Sequence, residues 1–137
     1  MPVTETTAMI AGMTPTLQPG RWIYCTTTEA QPVPADAFAM MREAEGTTLI
    51  LPADTAAAHG FATDLAMRRV TLNVYSDLEG VGLTAAVAAA LTEAGISCNV
   101  VAAYHHDHVF VPEADAARAM EALVATQEAA QNGAVAP

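Results

Sequence analysis

A chain of 137 residues is long enough to bury the core of one domain, or of two small units that share a core. Hydrophobic residues make up 53% of it and charged residues 15%, which excludes a disordered chain. The formal net charge is -10 and all five basic residues are arginines, so nucleic acid and anionic membrane surfaces are excluded as partners.

The N-terminus and the cysteines predict where the protein works. Residues 1–13 lack the basic segment and the long apolar core of a secretory signal, and no run is long enough to span a bilayer. Cys25 and Cys98 fall in apolar, strand-like runs without CxxC or metal-finger spacing, so we expect two reduced, buried thiols. Because such thiols are typical of a reducing compartment, we predict a cytoplasmic protein.

The first part of the chain predicts a helix, a strand and a short connection. Residues 4–13 favour a helix, and residues 21–27, RWIYCTT, indicate a strand. The following residues 28–36 contain two prolines and are too few for a long helix. A unit that begins with this strand would lack a helix, and we expect the N-terminal helix to pack in its place.

The next segment, residues 35–45, is ambiguous between a helix and a hairpin. Its Ala, Met, Arg and Glu residues are good helix formers. An internal repeat argues otherwise, because LILPAD resembles VFVPEAD sixty positions later, each being a strand that ends on a proline. The repeat predicts a hairpin, with Gly46 in the turn and residues 47–51 as the return strand.

The second half shows clearer periodicity. From Arg69 onward, apolar and polar residues alternate, which predicts a strand with one buried face that ends near Tyr75. After the loop SDLEGVG, a helix is predicted up to Gly95, which ends it in a left-handed conformation. One face of this helix carries Leu83, Val87, Ala90, Leu91 and Ala94.

The remaining segments complete a unit. ISCNVVAAY indicates a buried strand, HHDH a turn, VFV a returning strand, and the residues from Pro112 to Thr126 a helix. Asn132 and Gly133 are expected to stop that helix. The order strand, helix, strand, strand, helix is most of a ferredoxin-like unit.

These segments together predict an α+β fold. We expect two tandem ferredoxin-like units of the βαββαβ type with antiparallel sheets, the first of them degenerate. The predicted boundaries are residues 1–66 for the first unit, 67–126 for the second and 127–137 for a flexible tail.

The loop SDLEGVG is the first candidate for a binding site. It joins a strand to a helix N-terminus, where unpaired backbone N–H groups suit a carboxylate and glycines allow a ligand to approach. Asp77 and Glu79 supply negative charge for an ammonium group, so the loop suits the zwitterion of an α-amino acid. The alternative is a helix that Ser76 or Asp77 caps, with solvated acids and no ligand.

The HHDH cluster, His105, His106, Asp107 and His108, is the second candidate. On an extended chain alternate residues face opposite sides, so the cluster supplies two pairs rather than the three converging ligands that zinc needs. The equivalent turn of the first repeat is EAEG, an ordinary polar turn. The sequence therefore favours a turn over a metal site.

Enzyme motifs are not found. The sequence has no GxSxG, P-loop or GxGxxG, and both cysteines lie in predicted strand interiors, where thiols are usually inert. We therefore predict a protein that is not an enzyme, with no catalytic residue, no metal and no cofactor.

The second half resembles a bacterial family of small tandem ACT-domain proteins. The resemblance rests on the SDLE-x-VG loop after a strand, an alanine-rich helix, the Gly-Ile-Ser-x-Asn-Val strand, the His-Asp-His turn and the Val-Pro ending. RWIYCTT and REAEGTTLIL resemble the first half of such proteins, so the resemblance covers about residues 17–126.

The resemblance implies ferredoxin-like units that bind amino acids or related effectors at the interface between two units, and sheets that often associate side by side. It implies that the ligand contacts come from the loop after the first strand and the following helix start. Carried over to this sequence, they are Ser76, Asp77, Leu78, Glu79, Gly80, Val81 and Gly82.

Three functions follow from these observations. The first is a non-enzymatic regulatory module, predicted to be a homodimer, that senses an amino acid or a similar zwitterion. The second is a structural module that forms a homodimer and binds no ligand. The third is a metal-dependent activity that uses the histidine and aspartate side chains of HHDH.

Overall fold

The computed structural model describes residues 2–28, 32–74 and 81–133, with side chains from Thr6 onward. The helices are α1 (Pro2–Ala11), α2 (Ala53–Ala58), α3 (Leu83–Glu93) and α4 (Ala116–Gln131), and a 3₁₀ turn, Glu113–Asp115, precedes α4. The strands are β1 (Pro15–Leu17), β2 (Trp22–Thr27), β3 (Ala39–Glu43), β4 (Gly46–Pro52), β5 (Met67–Leu72), β6 (Asn99–Ala102) and β7 (Asp107–Pro112).

The described strands form one antiparallel sheet in two halves. Its order is β3-β4-β2-β5-β7-β6, and β1 also pairs with β5. β2 pairs with β4 along its whole length, as β5 does with β7, but β2 and β5 share only the pair Trp22↔Met67. The first unit therefore meets the second at the start of β2.

Each half has the strand order of a ferredoxin-like unit. In the second half β1 lies beside β5, in the place of the unit's last strand, and the order there is β1-β5-β7-β6. The first half retains the short helix α2 but has no helix between β2 and β3 in the described residues. The predicted α+β fold of two tandem ferredoxin-like units, the first degenerate, is confirmed.

The helices lie on one face of the sheet, which we call the helix face. Its main core lies under α1, α3 and α4 and contains Val70 of β5, Val109 of β7, Leu91 and Leu123. A smaller core lies between α2 and the first half of the sheet. No helix in the described ranges is long and apolar enough to cross a membrane.

Helix α1 does not pack where the sequence suggested. Ile10 at its end and the following Met13 are 2% and 0% exposed in the main core, among residues of α3 and α4. The expectation that α1 replaces the missing helix of the first unit is therefore wrong. The reason is that β1 follows α1 directly and pairs with β5, which anchors the N-terminal segment to the second unit.

The hairpin predicted from the repeat is confirmed, but Gly46 lies in β4 and not in the turn, which residues 44–45 form. β3 and β4 pair in register from Ala39↔Ile50 to Glu43↔Gly46, so tertiary pairing overrides the helix propensity of this segment. Gly46 begins β4 with φ 153°, and a Cβ atom there would lie 2.8 Å from the carbonyl oxygen of Thr27. Only glycine lets the hairpin pack this closely against β2.

Helix α3 also follows the sequence. Leu83, Val87 and Leu91 are its buried residues, and Gly95 follows its C-cap with φ 73°. The N–H group of Ile96 donates to the carbonyl oxygen of Leu91 at 2.9 Å, which closes the helix as predicted.

Several predicted bounds are wrong. β5 begins at Met67 and ends at Leu72, and both its faces are covered, because Thr71 is only 5% exposed. β6 is a short edge strand without a buried residue, not a buried strand, because it has a neighbour on one side only. Helix α4 continues past Thr126 to Gln131, so residues 127–131 are helical rather than part of a tail.

Candidate functional site

The loop chosen from the sequence lies mostly outside the described residues. Of the seven predicted contacts, Ser76, Asp77, Leu78, Glu79 and Gly80 fall outside the described ranges. The structure describes the last two: Val81 is 75% exposed, and Gly82 is the N-cap of α3 with φ 106°. Gly82 has no side chain to cap the first turn of α3, whose backbone N–H groups begin here.

Helix α1 contacts this end of the loop. Thr6 Oγ1 donates to the carbonyl oxygen of Val81 at 2.6 Å. A Cβ atom at Gly82 would lie 2.6 Å from Thr6 Cγ2, so only glycine fits beneath the helix. No local sequence pattern predicts this contact, because it joins residues seventy-five positions apart.

The HHDH segment is a turn followed by the first residues of a strand. The N–H group of Ala103 donates to the carbonyl oxygen of His106 at 3.0 Å, which closes the turn between β6 and β7. Asp107 is 8% exposed and pairs with Leu72, the last residue of β5, which precedes the predicted binding loop in the chain. The next residue, His108, points to the opposite face of the sheet.

The described residues contain no group of three His, Cys, Asp or Glu side chains that could hold a metal ion. Both cysteines are free thiols. Cys25 is buried in β2 as predicted, whereas Cys98 precedes β6 and is only partly buried, so its predicted place inside a strand is wrong. Burial raises the pKa of both thiols, which favours the unreactive protonated form.

An aromatic cluster that the sequence did not predict covers the face opposite the helices, which we call the open face. Phe110 of β7 is fully buried there beneath Trp22, Tyr24 and Phe38, whose ring centroids lie 5.4 to 6.4 Å from its own. The one sequence pattern that indicates a second covered face of β7 is the alternation of His108 and Phe110 with the apolar residues that point to the helix face.

Aromatic side chains of the two units meet on the open face. Phe38 precedes β3, and its ring centroid lies 5.0 Å from that of His108 on β7. Three strands separate β3 from β7 in the sheet order, so a flat sheet would place them about 19 Å apart. The two units therefore approach each other across the open face.

Arg69 lies inside this cluster. Its guanidinium carbon is 5.3 Å from the centroid of the Trp22 ring and 4.8 Å from that of Phe38. Its Nη1 lies 3.4 Å from Thr71 Oγ1 and 3.3 Å from His108 Nδ1. Burial lowers the pKa of Arg69, and burial, the charge of Arg69 and that of His106 lower the pKa of His108 below its usual value.

A separate groove of about 560 Å³ lies on the first unit, near the place of its missing helix. Apolar residues from β3, β4 and the segment after α2 form much of its wall, and Arg42 and His59 add polar groups. The Nδ1 atom of His59 is 2.9 Å from the carbonyl oxygen of Thr55, so it donates there and leaves Nε2 toward solvent.

Two family models match the chain. A model described as an ACT domain matches residues 2–68, and a second with the same description matches residues 68–125. The chain belongs to the ACT-domain family. ACT domains are generally regulatory modules that bind small molecules, and they typically form oligomers. The family is not a catalytic one.

Solved structures agree with this assignment. A Vibrio cholerae protein of unknown function, described as a possible transport protein, is 40% identical, with 90% of this chain and 96% of that chain covered and a TM-score of 0.80. An Agrobacterium tumefaciens protein is 16% identical, with 82% of this chain and 87% of that chain covered and a TM-score of 0.65.

Aspartokinase alpha and beta subunits are 10% identical over 82% of this chain and 95% of that chain, with a TM-score of 0.57. At this identity, as for the Agrobacterium protein, the likeness concerns the fold alone. No curated protein matches the chain significantly.

Proposed function

We propose that this tandem ACT protein is a cytoplasmic, non-enzymatic sensor that binds an amino acid or a related zwitterion at the loop before α3. The observation that carries the proposal is the start of α3 at Gly82, whose N-cap position makes no side-chain hydrogen bond. Among the described residues no N-cap side chain occupies the first-turn N–H groups, which suit a carboxylate, and the adjacent Val81 is 75% exposed. Asp77 and Glu79 would attract the ammonium group.

Two neighbouring features support the same site. Asp107 pairs with Leu72, the last residue of β5, and Thr6 contacts Val81, so a buried acid and α1 lie near the described residues on the two sides of the proposed loop. A ligand bound at the loop would stabilise the second unit. This is the linkage that a regulatory module uses.

A ligand-free homodimerisation module is the second candidate. β3 is an outer strand of the sheet, and its Met40 and Met41 are 42% and 43% exposed. An outer strand with exposed apolar side chains favours pairing with another copy. Sedimentation would reveal the dimer under either function, and only a ligand response separates them.

The test is thermal unfolding with a panel of amino acids and related metabolites. A ligand at one hundred times its dissociation constant adds about 2.7 kcal/mol to the free energy of unfolding, which raises Tm by several degrees for a domain of this size. The shift should vanish in Asp77→Ala and persist in Glu93→Ala, which removes an exposed acid at the other end of α3.

Parallel samples with zinc and with EDTA complete the experiment. A selective metabolite shift that requires Asp77 would support the sensor and identify its effector. A shift with zinc alone would favour the HHDH activity, and a stable dimer that responds to nothing in the panel would favour the structural module.

A further inference from the structure

The open face holds a positive charge, that of Arg69, which forms no ion pair with the acidic side chains in residues 6–28, 32–74 and 81–133. Arg69 is partly buried between the rings of Trp22 and Phe38. The ion pairs among the described residues join Arg21 to Glu113 and Arg118 to Asp115, and neither includes Arg69. The chain has 15 acidic residues, so this arginine stands out against a strongly acidic background.

The hydrogen-bonding groups around Arg69 are mostly donors. A guanidinium can only donate, so His108 Nδ1, 3.3 Å from Nη1, accepts, as it does from Thr71 Oγ1 at 3.1 Å. The proton of the neutral ring then lies on Nε2, which becomes a further donor. Arg69 Nε and Trp22 Nε1 are buried, and no acceptor in the described part of the chain contacts them.

A site of this composition suits an anion. Burying a charge without a partner is unfavourable, and an oxyanion beside the partly buried guanidinium would compensate the charge of Arg69. The planar edge of a guanidinium matches a carboxylate in particular. The surrounding rings, including Tyr24 at 37% exposure, offer apolar surface that an inorganic anion would not use.

We propose that Trp22, Arg69 and His108 form a binding site on the open face for a small carboxylate with an aromatic or apolar body. The site is distinct from the loop before α3, because it lies on the opposite face of the sheet from the helices. Trp22 comes from the first unit, and Arg69 and His108 come from the second. A bound carboxylate therefore bridges two units whose sheets share only the pair Trp22↔Met67.

Intrinsic fluorescence tests the proposal directly, because Trp22 is the only tryptophan in the chain. Benzoate is titrated against benzamide, which has the same ring and no charge. We expect a saturable fluorescence change with benzoate, and binding of benzamide weaker by about tenfold or more, because hydrogen bonds to charged groups are the stronger ones.

Variants locate the site. Arg69→Gln should weaken benzoate binding by about tenfold or more, whereas Arg42→Gln, which removes an arginine from the helix face, should leave it unchanged. Asp77→Ala should also leave it unchanged, so a failure of the loop site and a failure of this site are told apart. Circular dichroism establishes that each variant is folded.

Three results would overturn the proposal. These are equal binding of benzamide and benzoate, unchanged benzoate binding in a folded Arg69→Gln variant, and inorganic phosphate binding as tightly as benzoate. If Arg69→Gln does not fold, the benzoate and benzamide titrations of the unaltered protein still test the proposal. Arg69→Lys keeps the charge but loses the planar guanidinium group, so it should bind benzoate more weakly.

Discussion

Thr6 and Gly82 are in direct contact, so closely that a Cβ atom at Gly82 would lie 2.6 Å from Thr6 Cγ2. The contact joins the N-terminal helix to the start of α3. The contact therefore fixes Val81 and Gly82, at the end of the proposed binding loop, against a segment that is distant in sequence.

Gly82→Ala should lower the free energy of unfolding by about 2 to 5 kcal/mol. A left-handed backbone costs an L-residue about 1 to 2 kcal/mol, and overpacking adds about 1 to 3 kcal/mol. Gly20→Ala is the matched control, because Gly20 has φ 91° and nothing within 4 Å of the added methyl group. It should show the backbone cost alone in urea titrations.

The steric part can be isolated in the same series. Thr6→Ser removes Cγ2 and keeps the hydroxyl that donates to Val81, so Gly82→Ala should cost less in that background. Equal costs in both backgrounds would mean that α1 does not press on the start of α3.

Ile10→Ala should lower the free energy of unfolding by about 2 to 5 kcal/mol, because this side chain is 2% exposed in the main core. Leu65→Ala is the control: Leu65 is 71% exposed, and its loss should change stability by no more than about 0.5 kcal/mol. Chemical denaturation measures both. A small effect of Ile10→Ala would contradict the packing of α1 on the second unit.

Phe110→Ala should destabilise the protein by about 3 to 5 kcal/mol, since Phe110 is fully buried where the two units meet. The emission of Trp22 should also change, because their ring centroids are 6.4 Å apart. Tyr104→Ala, at an aromatic residue 69% exposed, should do neither. An unchanged emission spectrum in Phe110→Ala would argue against the aromatic cluster.

Acidification should destabilise the protein partly through His108. Its pKa is lowered in the folded state, so below the ordinary value of about 6.5 the unfolded chain binds more protons than the folded one. The contribution of His108 to the free energy of unfolding is therefore fully present above about pH 6.5, and it is lost as the pH falls toward the pKa of His108 in the folded protein. Tm should fall over this range.

His108→Phe keeps a ring against Phe38 and cannot titrate, so its Tm should fall less between pH 7 and pH 5 than that of the unaltered protein. His59→Gln removes a histidine on the first unit and serves as the control for a general effect of histidine loss. Parallel Tm profiles for His108→Phe and the unaltered protein would contradict the role of His108.

Local sequence patterns predicted the fold where neighbours in the chain carry the information. The strand at Val70 and Leu72 follows from a period of two residues, and helix α3 follows from the spacing of three to four residues between Leu83, Val87 and Leu91. The β3–β4 hairpin follows from an internal repeat of the chain. The loop before α3 was predicted from the same local information, the succession of a strand, a glycine-rich segment and a helix, and its role stays a prediction.

Only the tertiary structure decided where the separate pieces meet. α1 joined the second unit because β1 pairs with β5, and no local period encodes that pairing. The open-face site is the clearest case: Trp22, Arg69 and His108 come from β2, β5 and β7, and they meet because these three strands are neighbours in the sheet. The sequence by itself thus determined the family fold and predicted the loop, whereas the cation among the rings arose from the pairing of strands that are far apart in the chain, which no local period encodes.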